Sequence, residues 1–166
     1  MLNLLDNIEV VLFDFDDTLC IHTNRVETGA LKRLNRIKLL NNLSCWDDCY
    51  ISRHMKEFMN ICKEKGIDMA LCGGVDSVIE AENKIKWVKD NYEVELKNLC
   101  VSTPEEKVEM AVSLAGKRGI DPRSVLVIDD WWYILNIMQD NEVTSYSPMY
   151  IVNYVEEIER CKRNEL

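Results

Sequence analysis

Prolines and glycines are scarce, three and six in 166 residues. That scarcity excludes a collagen-like chain and a Pro/Gly-rich low-complexity one. No apolar run approaches the ~20 residues that cross a bilayer, so no membrane partner is expected. The first nine residues, Met1 to Glu9, hold no base and carry Asp6 and Glu9, unlike a secretory leader. The expected location is the cytoplasm. There is also no C-x-x-C pair. The seven cysteines (Cys20, Cys45, Cys49, Cys62, Cys72, Cys100, Cys161) are odd in number, which points to neither a disulfide framework nor a zinc knuckle. So many thiols fit a reducing compartment. Cys45 and Cys49, four apart on an expected helix with His54 nearby, could hold a metal, but buried free thiols are the commoner outcome.

What remains is an ordinary globular composition, 47% hydrophobic and 30% charged. The length suits one domain over residues 1–166 with a core of its own. Twenty Lys+Arg against 29 Asp+Glu give −9, a balance that disfavours nucleic acid as a partner. The bases gather in one place. Between Cys20 and Leu43 stand Arg25, Lys32, Arg33, Arg36 and Lys38 against Glu27 alone, a local +4, leaving −13 for the rest. Such a run is either a solvated helix face or an anion-attracting edge beside a site.

Strands and helices alternate along the chain. Ile8–Asp14, Ile67–Cys72, Glu93–Val101, Ser124–Asp129 and Val143–Tyr146 read as strands. Asn24–Asn41, Asp47–Lys65, Asp76–Val88, Ser102 to about Lys117, Trp131–Gln139 and Tyr150–Arg160 read as helices. Gly66 stops the second of these, and Ser102-Thr103-Pro104-Glu105-Glu106 supplies start signals for the fourth. This pattern predicts an α/β fold: a Rossmann-like parallel sheet of about five strands with helices on both faces. A small helical, cap-like insertion follows the first strand, at about residues 20–50.

Ligands of such sheets bind outside the carboxyl ends of the strands. The first strand ends in Asp14-Phe15-Asp16-Asp17-Thr18, the second in Cys72-Gly73-Gly74, and the fourth in Asp129-Asp130. Two acidic clusters therefore converge at one edge. Carboxylates packed together repel unless protonated or neutralised by a cation. A hard divalent ion removes the conflict, and Mg²⁺ takes one or two carboxylates plus water and phosphate oxygens. The constellation predicts Mg²⁺ and a phosphorylated substrate.

The segment Val10-Val11-Leu12-Phe13-Asp14-Phe15-Asp16-Asp17-Thr18-Leu19 resembles the first motif of the haloacid-dehalogenase-like (HAD) hydrolases, an apolar strand followed by D-x-D-x-T-L. The resemblance runs from Val10 to about Ile151. It implies Asp14 as the nucleophile that forms an aspartyl-phosphate. It implies Asp16 as general acid/base, and Asp14 with the Asp16 backbone carbonyl as Mg²⁺ ligands. Thr18 would fix the loop and stand among the phosphate-binding residues. An aspartate at the position of Asp16 marks phosphoryl transfer within the family. Lys107 corresponds to the family's basic residue, which balances charge on Asp14 and the phosphoryl group, with Lys97 as runner-up. Asp129 would complete the metal shell. Asp130 would bind the metal through water or orient Lys107.

The second motif departs from the family. Cys72 stands where a Ser or Thr hydroxyl usually donates to phosphate, and a thiol is a weak donor. Losing one such donor can cost ~10²–10³ in rate. The backbone N–H groups of Gly73 and Gly74 could replace it in part, since glycine lets backbone approach phosphate. The interval between second and third motifs has no room for a large cap. The resemblance implies an open site, of the kind that in the family often acts on macromolecular ends or bulky phosphoesters; the expected substrate is a nucleotide, a sugar phosphate or a macromolecular phosphoester end. His22, Asn24 and Arg25 could reach a substrate phosphate. Of Trp131 and Trp132, one is expected to pack in the core or an interface and the other to front the cleft, where it could stack on a ring. The leading reading is a Mg²⁺-dependent HAD-type phosphatase. A phosphotransferase or mutase of the same fold, and a catalytically weak binding module, stand beside it. A homodimer is open.

Overall fold

The computed structural model describes residues 4–22, 46 and 49–164. In chain order the strands are β1 (Val10–Phe13), β2 (Cys20–His22), β3 (Cys49–Ile51), β4 (Asp68–Leu71), β5 (Lys97–Asn98), β6 (Val125–Ile128) and β7 (Thr144–Tyr146). The helices are α1 (Arg53–Glu64), α2 (Val78–Tyr92), α3 (Pro104–Arg118), α4 (Trp132–Asp140) and α5 (Pro148–Asn164).

β1 lies at the centre of a five-stranded parallel sheet in the order β5-β4-β1-β6-β7. It is apolar throughout and fully buried, as a parallel strand covered on both faces must be. Alternate residues feed two cores. Val11, Phe13, Leu71, Leu126 and Ile128 pack with Phe58 of α1, Trp87 of α2 and Tyr154 of α5. Val10, Leu12, Ala70, Val125 and Val127 face α3 and α4 through Ala111, Ala115, Ile134 and Met138. The expected sheet with helices on both faces is the observed one. Among the described residues, no helix is long and apolar enough to cross a membrane.

One helix differs from expectation. Of the segment expected as helical from Asp47 to Lys65, the described residues are helical over Arg53–Glu64, with Ser52 as the cap: the Oγ accepts the Met55 N–H at 3.3 Å. Cys49–Ile51 is instead a strand, antiparallel to Cys20–His22. These two strands are the feet on either side of residues 23–48. The Tyr92 hydroxyl ties both feet together. It donates to the Leu19 carbonyl at 2.6 Å and accepts the Ser52 N–H at 3.1 Å. The expected helix Asn24–Asn41, its basic cluster, and Asn24 and Arg25 lie outside the described residues, as does Cys45. Cys49 sits on a strand and not on the expected helix.

Candidate active site

The register of the sheet builds the site. Phe13 pairs with Leu71 on one side and Ile128 on the other. The next residue of each strand is therefore Asp14, Cys72 and Asp129, in one row. The ladder continues into this row: Asp14 N–H donates to Ile128 O at 2.9 Å, Cys72 N–H to Phe13 O at 2.8 Å. Strand alternation puts Asp14 and Asp129 on the same side as Leu12 and Val127, towards α3. Helix α3 starts with a complete capping box. Thr103 Oγ1 accepts the Glu106 N–H, and the Glu106 carboxylate accepts the Thr103 N–H. That start fixes Lys107 in the first turn. Its ammonium lies 2.7 Å from Asp14 Oδ1 and 2.6 Å from Asp129 Oδ2, all three side chains being buried. Asp129 Oδ1 accepts the Trp131 N–H at 2.9 Å. Asp129 thus holds Lys107 on one carboxylate oxygen and the Trp131 N–H on the other.

Carboxylate oxygens of Asp14, Asp129 and Asp130 all lie within 4.8 Å of one another. Three carboxylates against one ammonium leave a surplus of about two negative charges, and every donor is a hard oxygen. This set fits a divalent cation of the Mg²⁺ type and not a thiolate- or imidazole-seeking metal. The crowding is visible in Asp14. Burial, with Asp129 and Asp16 acting in the same direction against Lys107, pushes its carboxyl up to about 7. Burial opposes the charge on Lys107. Asp14 and Asp129 more than offset it and hold the ammonium above the ordinary lysine range.

The carboxylate of Asp16 takes a different partner. Lys84 of α2 places its ammonium 2.9 Å from Asp16 Oδ2 and 2.7 Å from the Gly74 carbonyl. The chain reaches Asp16 through a tight turn in which Asp17 has φ 57°, a left-handed conformation that aspartate tolerates. Leu19 and Cys20 N–H groups both donate to Phe15 O, at 3.0 and 2.9 Å. Phe15 itself is clamped edge-on between Trp46 and Trp87, each with its ring centroid 5.4 Å away.

Thr18 is fully buried behind this turn, and its Oγ1 has no hydrogen-bond partner among the described residues. Its backbone N–H, donating to Phe15 O at 3.4 Å, is what joins the turn. Cys72 is packed with Val10, Leu12 and Val127, and burial pushes its thiol up to about 12. It is a neutral thiol at any working pH. Gly73 passes so close to the aspartates that a Cβ there would lie 3.1 Å from Phe15 Cβ and 3.8 Å from Asp14 Oδ1. Gly74 is exposed beside it.

Lys97 is exposed on β5 and pairs with Asp68 at 3.7 Å, so Lys107 alone of the two candidates reaches the aspartates. Trp131 and Trp132 are both exposed, at 47% and 68%. The expectation that one packs in the core is corrected. They lean on Tyr133 instead, because α4 buries Ile134 and Met138 and turns its first residues outward. His22 lies on β2; its side chain is outside the described residues. His54 pairs with Glu156 of α5 at 3.7 Å. Lys84 is the residue that sequence reasoning missed.

The architecture and this strand-end site define a HAD-like α/β fold. No protein-family model matches the chain, and no curated protein matches it. Solved structures do. The HAD-family enzyme BT-2542 from Bacteroides thetaiotaomicron is 14% identical, with TM-score 0.54 over 84% of this chain and 93% of that one. It has been solved with magnesium and inorganic phosphate. The N-terminal part of BF1531 from Bacteroides fragilis, which contains a phosphatase domain complexed with Mg, is 17% identical, with TM-score 0.58 over 92% of this chain and 39% of that one. The cobalt-bound deoxy-D-mannose-octulosonate 8-phosphate phosphatase YrbI from Haemophilus influenzae is 16% identical, with TM-score 0.51 over 91% and 77%.

Proposed function

We propose that the chain is a Mg²⁺-dependent phosphomonoester hydrolase acting through an aspartyl-phosphate on Asp14. The observation that carries this reading is the buried contact of Asp14 with Lys107 at 2.7 Å, inside a carboxylate group completed by Asp129 and Asp130. The metal- and phosphate-bound states of BT-2542 support it by likeness of fold. Asp14, Asp129 and Asp130 would hold Mg²⁺, with the Asp16 main chain beside them. The ion, when bound, supplies neutralisation of the phosphoryl oxygens.

An Asp14 oxygen attacks phosphorus as the bond from phosphorus to the ester oxygen breaks. Asp16 gives its proton to that leaving oxygen. Asp16 then takes a proton from water as the water attacks phosphorus. Inorganic phosphate leaves and the Asp14 carboxylate is restored. A carboxylate nucleophile divides one difficult displacement into two easier ones. Lys107 keeps Asp14 aimed, and its positive charge faces the same small volume in which phosphoryl charge develops. Cys72, being a neutral buried thiol, offers at most a weak donor. The phosphate is then left to Lys107 and to the backbone N–H groups after β4, where Gly73 allows close approach.

The substrate class is a phosphorylated small molecule, a nucleotide or sugar phosphate included. The test is Mg²⁺-dependent phosphate release from a panel of aryl phosphates, nucleotides and sugar phosphates, run beside Asp14→Asn. The expected outcome is release that EDTA abolishes and that falls by more than ~10³-fold in the variant. Release that persists in Asp14→Asn would exclude Asp14 as nucleophile.

A further inference from the structure

Lys84 has no accessible surface at all. Its three ammonium protons meet three oxygens: Gly74 O at 2.7 Å, Asp16 Oδ2 at 2.9 Å and Glu80 Oε1 at 3.0 Å. The last is an ion pair four residues apart on α2. Glu80 is itself pinned, its Oε2 accepting the Asp76 N–H at 2.8 Å and its own N–H donating to Ser77 Oγ at 3.1 Å. The ammonium also stands 5.0 Å from the ring centroid of Phe15, the residue between Asp14 and Asp16. The oxygens and the ring named here belong to the β1 turn and to the β4–α2 segment.

Burying an ion pair of this kind is poor value for stability. An apolar side chain of similar volume often does as well or better. What the lysine adds is geometry. Asp16 is a half-buried turn carboxylate, 27% accessible, with two rotatable bonds and a left-handed residue after it. A fixed cation from another element selects one of its rotamers. It also joins that rotamer to Gly74, in the segment that would approach the phosphate.

We propose that Lys84 is a positioning residue for Asp16, holding Oδ2 and so fixing the orientation in which the carboxyl group exchanges a proton with the leaving oxygen and the attacking water. This rests on the phosphatase reading above. The step stays balanced as written there: one proton goes from Asp16 to the leaving oxygen, and one returns from water. Lys84 exchanges none.

The experiment follows rate against leaving group. Aryl phosphates from p-nitrophenyl to phenyl need progressively more help from a general acid. Wild type, Lys84→Met, Asp16→Asn, the double variant and Asp14→Asn are compared, with folding checked by circular dichroism and thermal denaturation. If Lys84 aims Asp16, Lys84→Met loses about tenfold more kcat/KM on phenyl phosphate than on p-nitrophenyl phosphate, a fraction of the ~10²–10⁴ a general acid supplies. Asp16→Asn steepens the same dependence, and the double variant is no worse than Asp16→Asn alone. Lys84→Gln, which keeps a donor for Gly74 O, follows Lys84→Met. A leaving-group slope equal to wild type in a folded Lys84 variant overturns the proposal. So does failure of both Lys84 variants to fold, which would assign the lysine to folding. Wild-type activity in Asp14→Asn would instead bring down the phosphatase reading.

Discussion

A Cβ placed on Gly73 meets Phe15 Cβ at 3.1 Å, tighter than ordinary van der Waals contact, so Phe15 must shift by a few tenths of an ångström, and it has little freedom to do so. Trp46 and Trp87 hold its ring from two sides. The displacement would pass to the neighbouring aspartates. Gly73→Ala is therefore expected to lower kcat by about tenfold or more, since small misplacements of reacting groups are expensive. Overpacking would cost stability ~1–3 kcal/mol. Phosphate release and thermal denaturation measure the two effects, and an unaltered kcat would show that the loop absorbs the methyl group. The same scale decides what was legible in the sequence. Asp14 and Asp129 could be found because each ends a buried apolar strand, and register then forces them together. Lys107 could be found because Thr103-Pro104-Glu105-Glu106 marks where its helix begins. Lys84 could not. In the segment Glu82-Asn83-Lys84-Ile85-Lys86-Trp87-Val88-Lys89 three lysines look alike. Lys86 and Lys89 are exposed and pair with Asp90 and Glu95, while it is the tertiary approach of the β1 turn that brings Asp16 to Lys84.

At the scale of elements, α3 is the one whose start most directly sets the chemistry. Its capping box closes the free N–H groups of the first turn, and Lys107 follows the box by one residue. Thr103→Ala removes one half of the box. Such cap losses cost about 1 kcal/mol, or roughly 2–4 °C in Tm for a chain of this size. Fraying of that turn also loosens the Lys107 ammonium, so kcat is expected to fall with Tm, and Thr103→Ser is expected to restore both. A loss of Tm with full kcat would mean that Asp14 and Asp129 alone hold the lysine. The five-stranded sheet was legible because strands such as Val10–Phe13 and Val125–Ile128 are buried on both faces and carry unbroken apolar runs. The ribbon of Cys20–His22 and Cys49–Ile51 was not. Three residues are too few to display a period of two, and Tyr50 is exposed, so nothing separates this stretch from the first turn of the helix that follows.

On the whole-molecule scale the site is a concentration of negative charge inside a chain that already carries −9, and its ionisation is coupled to folding. Burial first, then Asp129 and Asp16, raise Asp14 from the ordinary 3.8 to about 7 in the folded state. An acid whose folded pKa is raised contributes no penalty below its unfolded pKa. Between 3.8 and about 7 the unfolded chain gives up the proton and the folded one keeps it, so stability falls as pH rises through this window and levels off above it. Mg²⁺ acts in the opposite sense, because it needs the ionised carboxylate and must displace the proton. Its affinity is therefore expected to be roughly tenfold weaker at pH 6 than at pH 8, following the ionised fraction of Asp14. Calorimetric titrations in buffers of different ionisation enthalpy should record release of up to about one proton per ion near pH 6 and little at pH 8. In Mg²⁺ at 100 times its Kd the folded state gains about 2.7 kcal/mol, so Tm should rise by roughly 5–10 °C at pH 8, and by less at pH 6 for the same total ion. Asp14→Asn should lose both the proton release and the pH dependence of the Tm shift. A Tm shift equally large at pH 6 and pH 8 in the unaltered protein would mean that the ion binds without displacing the Asp14 proton, and that Asp129 and Asp130 suffice to hold it.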